Sequence, residues 1–193
     1  MNNFNFKTSI LFIIYLTSFC FAQMESEDMP SGDKNWFISS SYGMQISGIK
    51  SEDFVKSNVT QAFMINLGKW ISKEIGLQMG FKGFYFNTIS DLDKHPYNFV
   101  YGNVLFNIKN IFYPRNGETE FYELIFYPGA GYFYNHYYDQ PNICADIGIK
   151  NNFIIFNRTK ISLDISAILG WDIYQGNEDI LPSFNFGVTY SFP

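Results

Sequence analysis

Three things are scarce in this chain, and each scarcity removes a class of function. Cysteine occurs twice, at Cys20 and Cys144. Cys20 falls inside an apolar N-terminal stretch that reads as an export signal, so the mature chain keeps one thiol and no disulfide framework within a molecule. Histidine also occurs twice, at His95 and His136, and neither has a partner at metal-ligand spacing. Charge is sparse as well: 16% of residues, against about a quarter in a typical soluble domain. The net charge of -5 offers no basic stripe to neutralise phosphates, which excludes a nucleic-acid partner. What is plentiful is aromatic side chain, 20% of the chain, with 22 Phe and 14 Tyr. Mean hydropathy is nevertheless only -0.08. Many aromatics at middling hydropathy suit strands that are apolar on one face alone.

The N-terminus carries Lys7 and then the apolar stretch Ser9 to Ala22, too short and poorly flanked for a stable membrane span. Small residues at Cys20 and Ala22 place the predicted cut after Ala22, making residues 1–22 a signal peptide. A lipoprotein cut before Cys20 is the rival, disfavoured because Phe19 stands where such signals need a small residue. Losing Lys7 and no acid takes the net charge from -5 to -6. Residues 23–34 are polar, acidic and interrupted by Pro30, and are expected to form a disordered periplasmic leader.

From residue 35 to 193 the apolar spacing is two almost everywhere, which predicts strands rather than helices. Eight are expected: Asn35–Ile46, Thr60–Ile71, Ile75–Phe86, about 98–111, about 121–134, Ile143–Ile155, Ile161–Ile173 and Ser183–Pro193. In the first, Trp36, Ile38, Tyr42, Met44 and Ile46 oppose Ser39, Ser41, Gly43 and Gln45. In the last, Phe184, Phe186, Val188, Tyr190 and Phe192 oppose Asn185, Gly187, Thr189 and Ser191. Connections alternate between longer polar stretches and tighter ones, as in an up-and-down meander. The predicted fold is all-β, a closed antiparallel transmembrane β-barrel of eight strands. Pro128 is the one misfit, because it cannot donate to a ladder; it predicts a bulge or a break in the fifth strand.

Volume decides which face is outside. The interior of an eight-stranded barrel is just wide enough for side chains. The Gly, Ser, Asn and Thr faces fit that axis, while the aromatic and branched faces would overfill it. Lipid is therefore expected outside. Inward charges at Lys82, Asp146, Lys150, Asp164 and Asp172 are expected to form a polar network in the lumen, tolerable only if paired. Aromatics near strand ends (Trp36, Trp70, Tyr85, Phe112, Tyr134, Trp171, Tyr190 and Phe192) fit interfacial girdles. The alternatives are a secreted lipocalin-like binder of a small apolar ligand and a β-sandwich. Gly68-Lys69-Trp70 echoes the lipocalin Gly-x-Trp but lies at the end of the second strand, not in the first.

Four stretches, Leu67 to Gly83, Tyr97 to Phe112, Phe126 to Tyr134 and Ala145 to Ile155, resemble the OmpA-type outer-membrane barrels of the Bacteroidetes. The signal ending in Phe21-Ala22-Gln23 is similar to that group's habit. The resemblance implies a Gram-negative outer-membrane location and insertion by the barrel-assembly machinery, with the final strand (Phe184, Phe186, Val188, Tyr190, Phe192) as assembly signal. It assigns no activity. The chain is expected to end at the barrel, without the peptidoglycan-binding domain that often follows in such proteins, and Pro193 departs from the usual terminal aromatic.

No chemistry emerges from motifs. Asp91 to Asp93 lacks the rest of a calcium loop, Pro128 to Tyr132 precedes no phosphate-binding helix, and Cys144 has no histidine near it. Ser90 near His95, with Asp91 or Asp93, is the best catalytic combination and a poor one, which leaves a lipid-modifying enzyme as the weaker alternative. No catalytic residue, cofactor or metal is expected. A non-specific, porin-like pore is disfavoured by the strand number, since open channels need about twice as many strands. The expected role is structural or interactive, with outer-membrane lipid around the wall and a protein partner at the surface loops. Tyr134, His136, Tyr137 and Tyr138 are the candidate contact residues; they fit equally an aromatic rim at the outer leaflet.

Overall fold

The computed structural model describes residues 36–47, 58–83, 88–91, 93–113, 121–171, 173 and 178–192. The predicted signal and leader (residues 1–34), Tyr85, Asp172 and Pro193 lie outside the described residues. Among the described residues nine strands are formed: β1 (Trp36–Ile46), β2 (Val59–Trp70), β3 (Ile75–Lys82), β4 (Thr88–Asp91), β5 (Asp93–Asn107), β6 (Tyr122–Asn135), β7 (Gln140–Phe156), β8 (Thr159–Trp171) and β9 (Glu178–Ser191). A one-turn helix, α1 (Ile108–Phe112), leaves the end of β5.

All pairings are antiparallel, and eight strands close into a ring in the order β1, β2, β3, β5, β6, β7, β8, β9. The closing seam joins β9 to β1 from Phe37↔Ser191 to Gln45↔Ser183. Each of the eight has two neighbours, so the ring has no open edge. β4 stands outside it, forming a hairpin with the first residues of β5 (Thr88↔Pro96 to Asp91↔Asp93).

Period-two alternation holds throughout, with the small face inward as expected on most strands. On β5 and β6 the expectation is corrected: Tyr97, Phe99, Tyr101, Tyr127 and Phe133 point inward. On β1, Ile38 and Met44 are 41% and 55% exposed while Ser39 and Gln45 between them are 4% and 1%. Outward apolar exposure continues through Met79, Ile143, Ile165 and Phe186. The prolines of β6, β7 and β9 are accommodated without a break. The β5–β6 ladder skips from Asn103↔Gly129 to Phe106↔Phe126 at unchanged register, and the β6–β7 ladder runs straight through Pro128↔Ile147. The expected bulge or break at Pro128 is thus corrected to a local gap on one side only. Pro182 lies one residue beyond the β1–β9 ladder, and Pro141 beyond the β7–β8 ladder, which begins at Ala145↔Leu169. Among the described residues a register shift falls instead between Ile154 and Phe156.

Two of the three connections at one end are short, as expected, while the expected longer β6–β7 connection is corrected to a tight turn. At one end, here the turn end, β2–β3 and β7–β8 are joined by Ile71 to Glu74 and by Asn157–Arg158, but β5–β6 is joined by residues 108–121. At the loop end β6 and β7 run on until only His136 to Asp139 separate them, with Asp139 at φ 52°. The strand expected to reach 111 stops at Asn107, whose side chain accepts from Asn110 N (3.3 Å) and caps α1.

Candidate functional site: the lumen and the aromatic corner

The lumen is filled in layers. Toward the loop end, Ile89, Tyr97, Phe99, Tyr101, Phe133, Cys144, Ile168, Ile173 and Leu181 form a buried apolar cluster. Toward the turn end, Phe37, Leu105, Ile125 and Tyr127 form a second one, with Trp70 packed against it at 6.3 Å from the Phe37 ring. Charged and amide side chains lie between and beside them. Large rings fit because glycines lie under them. A Cβ at Gly80 would meet the Tyr101 ring at 2.3 Å, one at Gly148 the Tyr127 ring at 2.3 Å, and one at Gly68 the Phe37 ring at 2.2 Å.

The charges are paired. Lys82 Nζ on β3 reaches across to Asp146 Oδ1 on β7 at 2.9 Å, and both side chains are buried. The other Asp146 oxygen accepts from Asn103 Nδ2 (2.9 Å), whose Oδ1 accepts from Gln78 Nε2 (3.1 Å). Lys82 also stands over the Tyr101 ring at 5.1 Å, a cation–π contact away from water. Lys150 and Asp164 oppose each other in the β7–β8 register, 3.9 Å apart, and Tyr127 donates to Asp164 Oδ1 at 2.7 Å. A third group joins Glu123 to Lys160 (2.6 Å) and to Asn152 Nδ2 (2.9 Å). Tyrosines tie distant strands: Tyr101 donates to Asn66 Oδ1 (2.5 Å), and Tyr97 to Gln45 Oε1. Such interiors hold only when nearly every member has a partner, because a lone buried charge costs far more than a pair returns.

At the loop end the chain builds an aromatic corner. His95 on β5 is buried, its ring 3.9 Å from that of Tyr137 and edge-on to Tyr138 at 5.8 Å. Tyr137 and Tyr138 meet each other edge to face at 5.0 Å. Tyr134 donates to Asp139 and packs edge-on against His136, whose Nε2 lies 2.9 Å from Asn98 Nδ2. His136 N donates to Pro96 O (3.1 Å), which clamps the β6–β7 turn onto β5. The outward sides of Tyr132, Tyr137 and Tyr138 remain exposed, Tyr137 by 62%.

No family model matches this chain, and no curated protein does. Solved structures do. Neisserial surface protein A (NspA) superposes with a TM-score of 0.59 at 6% identity, covering 81% of this chain and 97% of that one. Ail, the attachment invasion locus protein of Yersinia pestis, gives 0.53 at 14% identity, covering 83% and 100%. The N-terminal β-barrel domain of Pseudomonas aeruginosa OprF gives 0.52 at 10% identity, covering 82% and 98%. The fold is that of an eight-stranded outer-membrane β-barrel.

Of the residues singled out in the sequence, Lys82, Asp146, Lys150 and Asp164 all point into this barrel, as two separate pairs; Asp172 lies outside the described residues. Phe184, Phe186 and Phe192 are exposed on the outer face, with Val188 and Tyr190 half-buried between them. Trp36, Phe112 and Trp171 are exposed near the ends, whereas Trp70 is corrected from girdle to lumen plug, since it shares the inward face with Gly68 and Asn66. Tyr134, His136, Tyr137 and Tyr138 come together, and His95 joins them. Sequence reasoning missed the Glu123–Lys160–Asn152 group and Tyr127. Their signal was present, because Glu123, Ile125 and Tyr127 are spaced by two on one face of β6. Among the described residues no group of three or more His, Cys, Asp or Glu is placed to hold a metal ion.

Proposed function

We propose that this protein is a non-enzymatic outer-membrane barrel that acts as a structural element and contact scaffold. The observation that carries the proposal is the inversion of its wall. Apolar side chains such as Met79 (62% exposed), Ile143 (78%) and Ile165 (58%) face outward all round, while charged pairs occupy the inside. An exposed apolar surface of that extent marks contact with lipid. A lipocalin-like carrier needs the opposite arrangement, and its apolar ligand would meet Lys82 and Asp146.

In this proposal residues 1–22 direct export and the barrel-assembly machinery reads the final strand from Phe184 to Phe192, as in the OmpA-type barrels the sequence resembles. The aromatic corner at Tyr134, His136, Tyr137 and Tyr138 is the contact surface. Tyrosines held by His95 and Asp139 offer area to a partner with little further ordering cost. The test is cell fractionation with gel electrophoresis of heated and unheated samples. The protein is expected in the detergent-extracted outer-membrane fraction, migrating differently before and after boiling. Recovery as a soluble protein without detergent would overturn the proposal.

A further inference from the structure

We propose that the turn end carries an interfacial anchor. Helix α1 lays Ile111, Phe112 and Tyr113 into the headgroup region of an anionic phospholipid leaflet, with Lys69, Lys73 and Arg158 toward the phosphates. The inference rests on the membrane-barrel reading and adds to it a specific lipid-binding element.

Packing within the protein does not account for the composition of α1. None of its residues is buried, and Ile111, Phe112 and the following Tyr113 are 41%, 68% and 74% exposed. Yet the helix is held firmly. Asn110 Nδ2 donates to Lys73 O on the β2–β3 turn (3.0 Å), Lys109 Nζ to Tyr122 O at the start of β6 (3.0 Å), and Asn107 N to Glu74 O (2.7 Å). A fixed element that presents three consecutive apolar side chains, and contributes nothing to the core, is built for an apolar medium outside the protein.

Continuity identifies that medium. Phe106 and Phe126 stack at the foot of the helix on the outward faces of β5 and β6, and Phe121, at the other end of the same connection, is 67% exposed. The apolar wall therefore runs directly into α1. Charge selects the headgroup. Lys160 is paired with Glu123, and with the β5–β6 connection counted from its sequence five cations (Lys69, Lys73, Lys109, Arg115, Arg158) stand against three carboxylates (Glu74, Glu118, Glu120) at this end. Lys69 lies over the exposed Trp36 ring at 5.5 Å, an arrangement that places a cation and an indole together at an interface.

The test places an environment-sensitive fluorophore at Phe112→Cys, and separately at Ile165→Cys and Tyr137→Cys, in the full barrel inserted into vesicles; Cys144 is 1% exposed and stays unlabelled. In phosphatidylglycerol-containing vesicles the label at 112 is expected to be quenched by lipids brominated near the glycerol end of the acyl chains. It should be several-fold less accessible to iodide than the label at 137. The label at 165 should respond most to deep bromines. Lys69→Gln with Lys73→Gln should raise iodide access at 112 in these vesicles and leave it unchanged in pure phosphatidylcholine. A label at 112 open to iodide and blind to bromine, with 165 quenched, overturns the anchor and leaves the membrane reading standing. If 165 is not quenched either, the membrane reading itself falls. Equal shielding at 112 with and without the two lysines removes the role given to the cations.

Discussion

Strands β5 and β6 fill the lumen mostly with rings, whereas β9 and β1, diametrically across the ring of strands, fill it mostly with hydroxyls and amides, Phe37 and Leu181 apart. Inward from β5 and β6 come Tyr97, Phe99, Tyr101, Tyr127 and Phe133; inward from β1 and β9 come Ser39, Ser41, Ser183, Asn185 and Thr189. Neither wall alone resembles the interior of a soluble protein. Together they make a close-packed one, because long side chains from one side lie over glycines and serines elsewhere and hydrogen-bond at their tips. Tyr101 crosses Gly80 to reach Asn66, which donates to Ser39 (3.2 Å). The lesson is that the lumen is specified by complementarity around the ring, so a substitution on either side is felt by its partner.

The largest expected effect comes from the charge pair that, among the described residues, reaches across the lumen from β3 to β7. Lys82→Met leaves the buried Asp146 carboxylate with the Asn103 amide as donor and no facing cation, and is expected to cost about 3–5 kcal/mol. Urea unfolding in phospholipid vesicles, followed by tryptophan fluorescence, reads this directly. Adding Asp146→Leu should recover most of the loss, since removing both charges removes the desolvation problem. A single variant as stable as the double one would mean that Asp146 is solvated.

The next effect tests whether rings truly need the glycines beneath them. Gly148→Ala places a Cβ 2.3 Å from both Cζ and Oη of Tyr127, so the ring must shift and its hydrogen bond to Asp164 must stretch. Overpacking of this kind costs about 1–3 kcal/mol. Gly102→Ala is the matched control, because that glycine faces outward and its Cβ would have Gln78 O at 3.8 Å as its nearest neighbour. It should change stability by no more than about 0.5 kcal/mol. Equal costs at the two glycines would break the contrast between inside and outside.

Much of this plan was legible in the sequence, and the reason is local. A strand needs only its own alternation to separate Ser39, Ser41 and Gln45 from Ile38, Tyr42 and Met44, and eight such separations close a barrel. Where the rule of large residues outward reversed, as at Tyr97, Phe99 and Tyr101, alternation still held but the assignment of faces depended on what stood across the lumen. That information is non-local. Lys82 and Asp146 were legible as inward charges, yet not as partners, because they are 64 residues apart and meet only when β3 and β7 face each other. The aromatic corner was half legible for the same reason. His95 and His136 stood in separate segments of the sequence and converge because β5 and β6 extend past the expected strand ends.

Among the inward-facing substitutions the smallest expected effect lies on the wall of small residues. Ser183 on β9 shares a hydrogen bond with Ser166 on β8 at 2.8 Å and accepts from Asn185 Nδ2 at 3.2 Å. Ser183→Ala removes both without adding volume or leaving a cavity larger than one oxygen. The expected cost is the net value of a hydrogen bond, about 0.5–1.5 kcal/mol, and the same vesicle unfolding experiment resolves it against Gly148→Ala. If Ser183→Ala cost as much as Gly148→Ala, the small wall would be positioning the large one rather than merely making room for it. If the order is Lys82→Met, then Gly148→Ala, then Ser183→Ala, the hierarchy is the one the lumen implies: charge pairing first, ring-on-glycine fit second, hydroxyl contacts last.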